Sequence, residues 1–485
     1  MPGTLRSILD TFPSHKVLVI GDLMLDEYLT GDCSRLSPEA PVPVLAVSAS
    51  RVVLGGAANT ANNIAALGGR VVLLGAVGDD EAGHRLGEHA KQAGIEFAPV
   101  RDRRPTVRKI RVVGQQQQLL RLDYEAEGTI DSEAEHSLLA TAEREIPTCD
   151  IVVISDYAKG CLTERLCQSV IARAHELGKR VVIDPRPQHG SYYVGCDFIT
   201  PNWKESQGLA GRPDGPITAD AVGETGRLIA ERYRAQALLT LGPKGMKLFG
   251  RDGTLLVEQA ALAREVFDVS GAGDTVVAMF SLALASGCAL VEAVELANRA
   301  AGIVVAKLGT ATVTPAELLR DAAPERALVR RDELAGLASR LRSQGHSIVT
   351  VNGSFDIMHA GHLFFLREAR KQGDVLVVGL NSDASIRANK GPDRPYVSQD
   401  DRARMLLALR DVDYVHIFDE PSPIEFLGEV RPAVHVNGIE YGEDCVEAPA
   451  LRANGGRLHL VERRPALSTT DLVRRIRGES GGAAS

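Results

Sequence analysis

Asp268-Val-Ser-Gly-Ala-Gly-Asp-Thr275 runs directly into an apolar helical pattern over residues 276–285. Glycine lets a backbone approach a ligand without a Cβ in the way. Gly271, Ala272 and Gly273 therefore predict N–H groups gathered at a helix N-terminus, a seat for phosphate oxygens and for charge developing in phosphoryl transfer. Asp274 falls in the first turn, where the helix dipole favours a carboxylate. Such a group can accept a proton from an attacking hydroxyl while ATP gives up its γ-phosphoryl group. A plain glycine turn with an acidic first-turn residue is the alternative reading.

Upstream, short β-branched runs at residues 17–20, 71–74, 151–154, 181–183 and 238–241 alternate with helical patterns such as 57–67 and 163–177. This predicts a mostly parallel sheet covered by helices. Residues 109–122 fit extra strands better than a crossover helix. The pattern changes after Leu319. Residues 321–345, rich in Arg, Ala and Glu, read as a linker and a solvated connecting helix. A second αβ series follows, with strands expected at 348–351, 375–380, 414–417, 434–436 and 458–461, enough for one small doubly wound domain. The expected division is 1–320, 321–345 and 346–477, with a disordered tail at 478–485.

The chain has 485 residues, 44 % of them apolar, and a formal net charge of −8. No basic block dominates, which argues against a nucleic-acid binder. The seven cysteines are scattered without a Cys-x-x-Cys pair, so reduced cytosolic thiols are expected rather than a zinc ribbon or disulfide framework. No signal peptide or membrane-spanning run is visible, and a cytoplasmic protein is expected.

Four more segments sit at expected strand ends or helix starts: Gly55-Gly-Ala-Ala-Asn59, Gly78-Asp-Asp-Glu-Ala-Gly83, Thr200-Pro-Asn-Trp-Lys-Glu205 and Thr240-Leu-Gly-Pro-Lys-Gly245. In order and spacing, residues 15–318 resemble the ribokinase-like (PfkB) carbohydrate kinases, a three-layer α/β fold. Gly21-Asp-Leu-Met-Leu-Asp-Glu-Tyr28, Gln117-Gln-Leu-Leu-Arg-Leu-Asp123 and Ser155-Asp-Tyr-Ala-Lys-Gly160 narrow the resemblance to heptose 7-phosphate kinases. The resemblance implies Asp274 as the base and Gly271, Ala272 and Gly273 as the anion hole. It places Asn202, Trp203, Lys204, Glu205, Thr240, Gly242, Gly245 and Asn298 around ATP, and Asp26, Gly55, Gly56 and Asn59 around the sugar. Trp203, the single tryptophan, suits packing at a strand end better than stacking on adenine. A sugar phosphate needs cationic partners, for which Arg108, Arg121 and Lys159 are candidates, with surface ion pairs as the alternative. A monovalent-cation site near Asp268 and Ser270 is a further implication.

The later series opens with Thr350-Val-Asn-Gly-Ser-Phe-Asp-Ile-Met-His-Ala-Gly-His362. His359 and His362, three apart at a helix start, can address one site. Imidazole donors and helix N–H groups together suit nucleotide phosphates. Capping or core histidines are one alternative. Zinc is another, but it needs further ligands that the sequence does not offer. Residues 346–477 resemble the cytidylyltransferase-like nucleotidyltransferases, a smaller Rossmann-like fold with a His-x-Gly-His signature. The resemblance places Gly353, Ser354, Phe355, Asp356, Lys390, Arg394, Ser468, Thr469 and Thr470 around ATP, with Arg402 in the same basic segment. The family's lysine after the fourth strand is replaced here by Asn437.

In its order of parts the chain resembles the bifunctional heptose 7-phosphate kinase and heptose 1-phosphate adenylyltransferase family. The resemblance implies ATP, nucleotide-bound Mg2+, sugar-phosphate substrates, self-association as a homodimer or larger homo-oligomer, and ADP-heptose for the lipopolysaccharide core as product. Another sugar, CTP in place of ATP, or a non-catalytic regulatory second domain stay open.

Overall fold

The computed structural model describes residues 2–114, 117–262, 266–307, 309–322, 326–343 and 345–462. Ser468, Thr469, Thr470 and the tail 478–485 lie outside them. The chain divides into one compact unit over Thr4–Asp321 and a second from Ala322 onward.

The first unit is built on a nine-stranded sheet. Its order is Leu255–Gln259, Met246–Phe249, Gln236–Thr240, Phe198–Ile199, Arg180–Asp184, Ile151–Ser155, Lys16–Gly21, Arg70–Gly78 and Glu96–Asp102. The last seven are parallel, and the first two form an antiparallel edge. Val17, Leu18, Val19 and Ile20 have no exposed surface, as a strand covered on both faces requires. Chain order reverses between Lys16–Gly21 and Ile151–Ser155, so a crevice opens beyond their carboxyl ends. The helices Ala57–Ala66 and Ala272–Ala285 pack together beside it. All the expected strands are present.

The extra strands at 109–122 are Val107–Gly114 and Gln117–Tyr124. They join a long hairpin, Leu23–Leu36 with Pro43–Gly56, in a separate four-stranded sheet. Sequence reading did not anticipate the hairpin: its outer residues are half-buried or exposed, so the apolar alternation that marks a strand is weak.

The second unit has a six-stranded parallel sheet, ordered Ala327–Leu328, Tyr414–Phe418, Val375–Asn381, Ile348–Gly353, Val434–Gly438 and Arg457–Val461. The reversal of order falls between Ile348–Gly353 and Val434–Gly438. The stretch expected as a solvated connector behaves differently. Ala327–Leu328 pairs at the sheet edge, and the helix Arg331–Ser343 buries Leu334, Leu337, Ala338 and Leu341 in this unit's core. Those four apolar positions, spaced i, i+3, i+4 and i+7, form one stripe beneath the charged face.

Candidate active sites

In the first unit, Gly271 caps the helix Ala272–Ala285 at φ 77°, a conformation open to glycine; a Cβ there would stand 2.8 Å from Asn59 Nδ2. Asp274 is buried. Its carboxylate accepts hydrogen bonds from Asn59 Nδ2 (2.6 Å), Thr60 Oγ1 (2.8 Å) and Tyr157 Oη (2.8 Å). Burial raises its pKa above the ordinary carboxylate value, the three donors oppose that rise, and Asp26 adds to it. Asn59, expected at a sugar-binding position, thus also holds the carboxylate expected to act as base.

Asp22 closes the crevice floor. It accepts backbone N–H bonds from Tyr157 (2.8 Å), Lys159 (3.1 Å) and Cys161 (2.9 Å), which fixes the turn after Ile151–Ser155. Asn202 and Glu205 form a reciprocal capping box on the helix Trp203–Ala210, and Glu205 also pairs with Arg186. Trp203 packs against the core and donates to the Gly215 carbonyl at 2.8 Å. Lys204 is exposed. Thr240 bridges to Asn202, placing the Thr240–Gly245 turn beside that helix start, and Asn298 donates to the Ala260 carbonyl at 2.8 Å. Both oxygens of Asp268 accept backbone N–H groups, from Ser270 (2.8 Å) and Gly309 (3.1 Å).

Strand register sorts the cationic candidates. Asp26 stands opposite Lys109, and Lys109 opposite Asp123; Arg111 stands opposite both Tyr28 and Arg121. Side chains alternate along a strand, so Lys109, Arg111 and Arg121 share the face of Asp26, whereas Arg108 points to the other side. There Arg108 pairs with Glu27 at 2.7 Å. Arg111 pairs with Asp26 at 2.5 Å, Arg121 holds Asp123 at 2.8 and 2.9 Å, and Lys159 pairs with Glu125. The Lys109 ammonium has no hydrogen-bonding or ion-pair partner among the described residues. Desolvation first, and the charges of Lys159 and Arg121 after it, lower its pKa despite Asp26 and Asp123. Sequence reading passed over Lys109 and Arg111, because the parity that brings them to Asp26 becomes visible only with the register.

In the second unit, Ile348–Gly353 ends at Ser354 and Phe355, the latter at φ 45°, a strained setting for an aromatic residue. His359 caps the helix Ala360–Arg370: its Nδ1 accepts the Gly361 N–H at 3.1 Å, and the His359 N–H points to His362 Nδ1 at 3.4 Å. The rings lie 4.1 Å apart. With both Nδ1 atoms acting as acceptors, each neutral ring carries its proton on Nε2. Asp356 accepts from Arg394 (2.6 Å) and from the backbone of Tyr396 (2.7 Å) and Val397 (3.2 Å), so it organises the basic loop. Lys390 donates to Ser354 Oγ at 3.0 Å; burial and then Arg394 lower its pKa. Arg402 has no exposed surface. It donates to the carbonyls of Ser354 (2.5 Å), Asn381 (2.9 Å) and Val397 (2.9 Å) and to Asp383 (2.6 Å). Asn437 ends Val434–Gly438 at the switch point, its amide oxygen accepting the Gly438 N–H at 3.1 Å.

Residues 14–317 match the pfkB family carbohydrate kinase model, and residues 350–475 the Cytidylyltransferase-like model. The bifunctional protein HldE of Azorhizobium caulinodans is 43 % identical over 472 residues, covering 95 % of this chain and 98 % of the relative. That of Methylobacillus flagellatus is 41 % identical over 497 residues, covering 97 % and 99 %. The chain belongs to the bifunctional HldE family. It is a heptose-phosphate kinase and adenylyltransferase, with both catalytic halves present. Among solved structures, phosphofructokinase-2 from Escherichia coli in complex with potassium superposes with a TM-score of 0.54 at 19 % identity, covering 63 % of this chain and 97 % of that one, a likeness of fold. No helix among the described residues is long and apolar enough to cross a membrane.

Proposed function

We propose that the two HldE activities divide between the two crevices as follows. In the first, Asp274 takes the proton from O1 of heptose 7-phosphate as that oxygen attacks the γ-phosphorus of ATP, and the N–H groups of Gly271, Ala272 and Gly273 receive the developing charge. The observation that carries this reading is the buried carboxylate at the glycine-capped helix start, held by Asn59, Thr60 and Tyr157. Asp26 binds the sugar, and Lys109, Arg111, Arg121 and Lys159 form the cationic surround for its phosphate. Arg108, on the opposite face, is left out of that set.

In the second, the phosphate oxygen of heptose 1-phosphate attacks the α-phosphorus of ATP and pyrophosphate leaves. The Nε2–H groups of His359 and His362 donate to the phosphate oxygens, with Lys390 and Arg394 adding charge. A separate phosphatase acts between the two steps, so the chain needs no channel for a shared intermediate.

Among the described residues no group of three or more His, Cys, Asp or Glu side chains could hold a metal. Magnesium would be held mostly by nucleotide oxygens, with Glu205 and Asp184, close enough to influence each other's charge, as the kinase-site carboxylates. Its contribution is to neutralise phosphate charge. Asp268, with both oxygens on backbone N–H groups, leaves its carbonyl neighbours as the donors for a monovalent cation. We place the enzyme in the cytoplasm as a homo-oligomer. Leu120, Leu122 and Tyr124, exposed on the side of the small sheet away from Asp26, supply an apolar contact surface.

The test follows both products by mass spectrometry, with heptose 7-phosphate, ATP and magnesium, then the phosphatase. Asp274→Asn should abolish the bisphosphate. His359→Asn should leave bisphosphate formation intact and abolish ADP-heptose. Loss of both products in the histidine variant would refute the division.

A further inference from the structure

The carboxylate of Asp274 is loaded unevenly. Among the described residues, Oδ1 accepts two hydrogen bonds, from Thr60 and Tyr157, each at 2.8 Å, and Oδ2 accepts one, from Asn59 at 2.6 Å. Oδ2 also lies on the glycine-turn side, 3.8 Å from where a Cβ on Gly271 would stand. Two bonds fill the lone pairs of Oδ1, while Oδ2 keeps one for a proton.

Tyr157 can act here only as a donor, because burial and the neighbouring Asp274 hold its phenol protonated. Its backbone N–H is anchored on Asp22. The Arg186 guanidinium lies over the Tyr157 ring, 4.9 Å from its centroid, and pairs with Glu205 at the nucleotide end. A cation over the ring face draws electron density from the phenol and strengthens its O–H as a donor.

We propose that Tyr157 is a positioning residue of the kinase site: its phenol occupies Oδ1 of Asp274, so that Oδ2 receives the sugar proton, and Arg186 links that clamp to Glu205. As the sugar oxygen bonds to the γ-phosphorus, the bond from that phosphorus to the bridging oxygen breaks and ADP leaves with the electron pair. The hydroxyl proton moves to Oδ2. Oδ1, now the carbonyl oxygen of the acid, keeps both donors, and the proton is released to solvent afterwards. The assignment rests on the reading of Asp274 as the base.

The experiment is a kcat–pH profile of bisphosphate formation by the full chain, comparing wild type, Tyr157→Phe and Asp274→Asn. Loss of the Tyr157 donor weakens the ionised form, so the acid limb moves to higher pH. Tyr157→Phe should be about tenfold slower at the acid end, recover at the alkaline end and keep its KM for ATP. A rate lowered by one factor at every pH, or an unmoved limb, overturns the proposal. If Tyr157→Phe fails to fold, Thr60→Val removes the other donor to Oδ1 and must show the same displacement; an unmoved limb there overturns it too. Asp274→Asn separates the two ideas. Retained turnover would sink the base itself, whereas an inert Asp274→Asn beside an unmoved Tyr157→Phe limb sinks only the role of Tyr157.

Discussion

Arg402 and Asp383 form an ion pair of 2.6 Å in which the guanidinium is wholly buried and the carboxylate reaches the surface. The same guanidinium holds the carbonyls of Ser354, Asn381 and Val397, and so joins three loops around the His359/His362 crevice. Removing it strands buried acceptors. Arg402→Met should destabilise the second unit by about 3–5 kcal/mol and abolish ADP-heptose formation, with the kinase reaction kept. Arg402→Lys should not rescue it, because an ammonium cannot reach acceptors spread around a planar fork. Denaturant unfolding and the two product assays check both.

Lys109 and Arg108 are chain neighbours on opposite sides of the small sheet. Lys109→Met should raise the KM for heptose 7-phosphate by roughly 10- to 100-fold, the loss of one charge-assisted hydrogen bond, with kcat little changed. Arg108→Met should leave that KM within about threefold, since its charge is spent on Glu27. Steady-state kinetics on the two variants would reject the sorting by face if both behaved alike.

His435 is fully buried, bonded to Thr350 at 2.8 Å, and burial drives its pKa down to about 4. Its folded value lies below the unfolded one, so the unfolded chain binds a proton that the native unit refuses. Stability from this group is present above about pH 6.5 and is lost as pH falls toward 4, by up to about 3 kcal/mol. Hydrogen exchange in Ile348–Gly353 and Val434–Gly438, compared between wild type and His435→Gln, should show that pH-dependent loss only in the wild type.

Asn437 stands near the carboxyl end of Val434–Gly438, beside the point where strand order reverses and where we propose that nucleotide phosphates bind. Asn437→Asp adds a negative charge there and should raise the KM for ATP in adenylyl transfer about tenfold; Asn437→Lys should stay within about threefold of wild type. A large gain with lysine would show that this chain lacks compensation for the family's missing cation.

The central strands were legible because burial on both faces writes itself as β-branched runs such as Val17 to Ile20. The glycine turn at 271–273 and the pair His359/His362 were legible because their chemistry is local. What sequence reading missed depends on partners far along the chain. The Leu23–Leu36 hairpin carries a weak alternation because much of it meets water. Lys109 and Arg111 gain meaning only from their register opposite Asp26 and Tyr28. Arg402 looked like part of a basic segment, and only its burial shows that it joins three loops.

The bond between Asn59 and Asp274 spans 215 positions of chain, whereas Arg402 reaches Ser354 across 48. Contacts so unequal in reach form at unequal times on a growing polypeptide. The second unit can organise its loops soon after its own segment is made. Asp274, the proposed base, waits until nearly the whole first unit has been synthesised, and its earliest partner is made more than two hundred residues ahead of it. Premature release within that unit therefore gives no partial kinase, and nascent chains should gain phosphoryl-transfer activity in one late step rather than gradually.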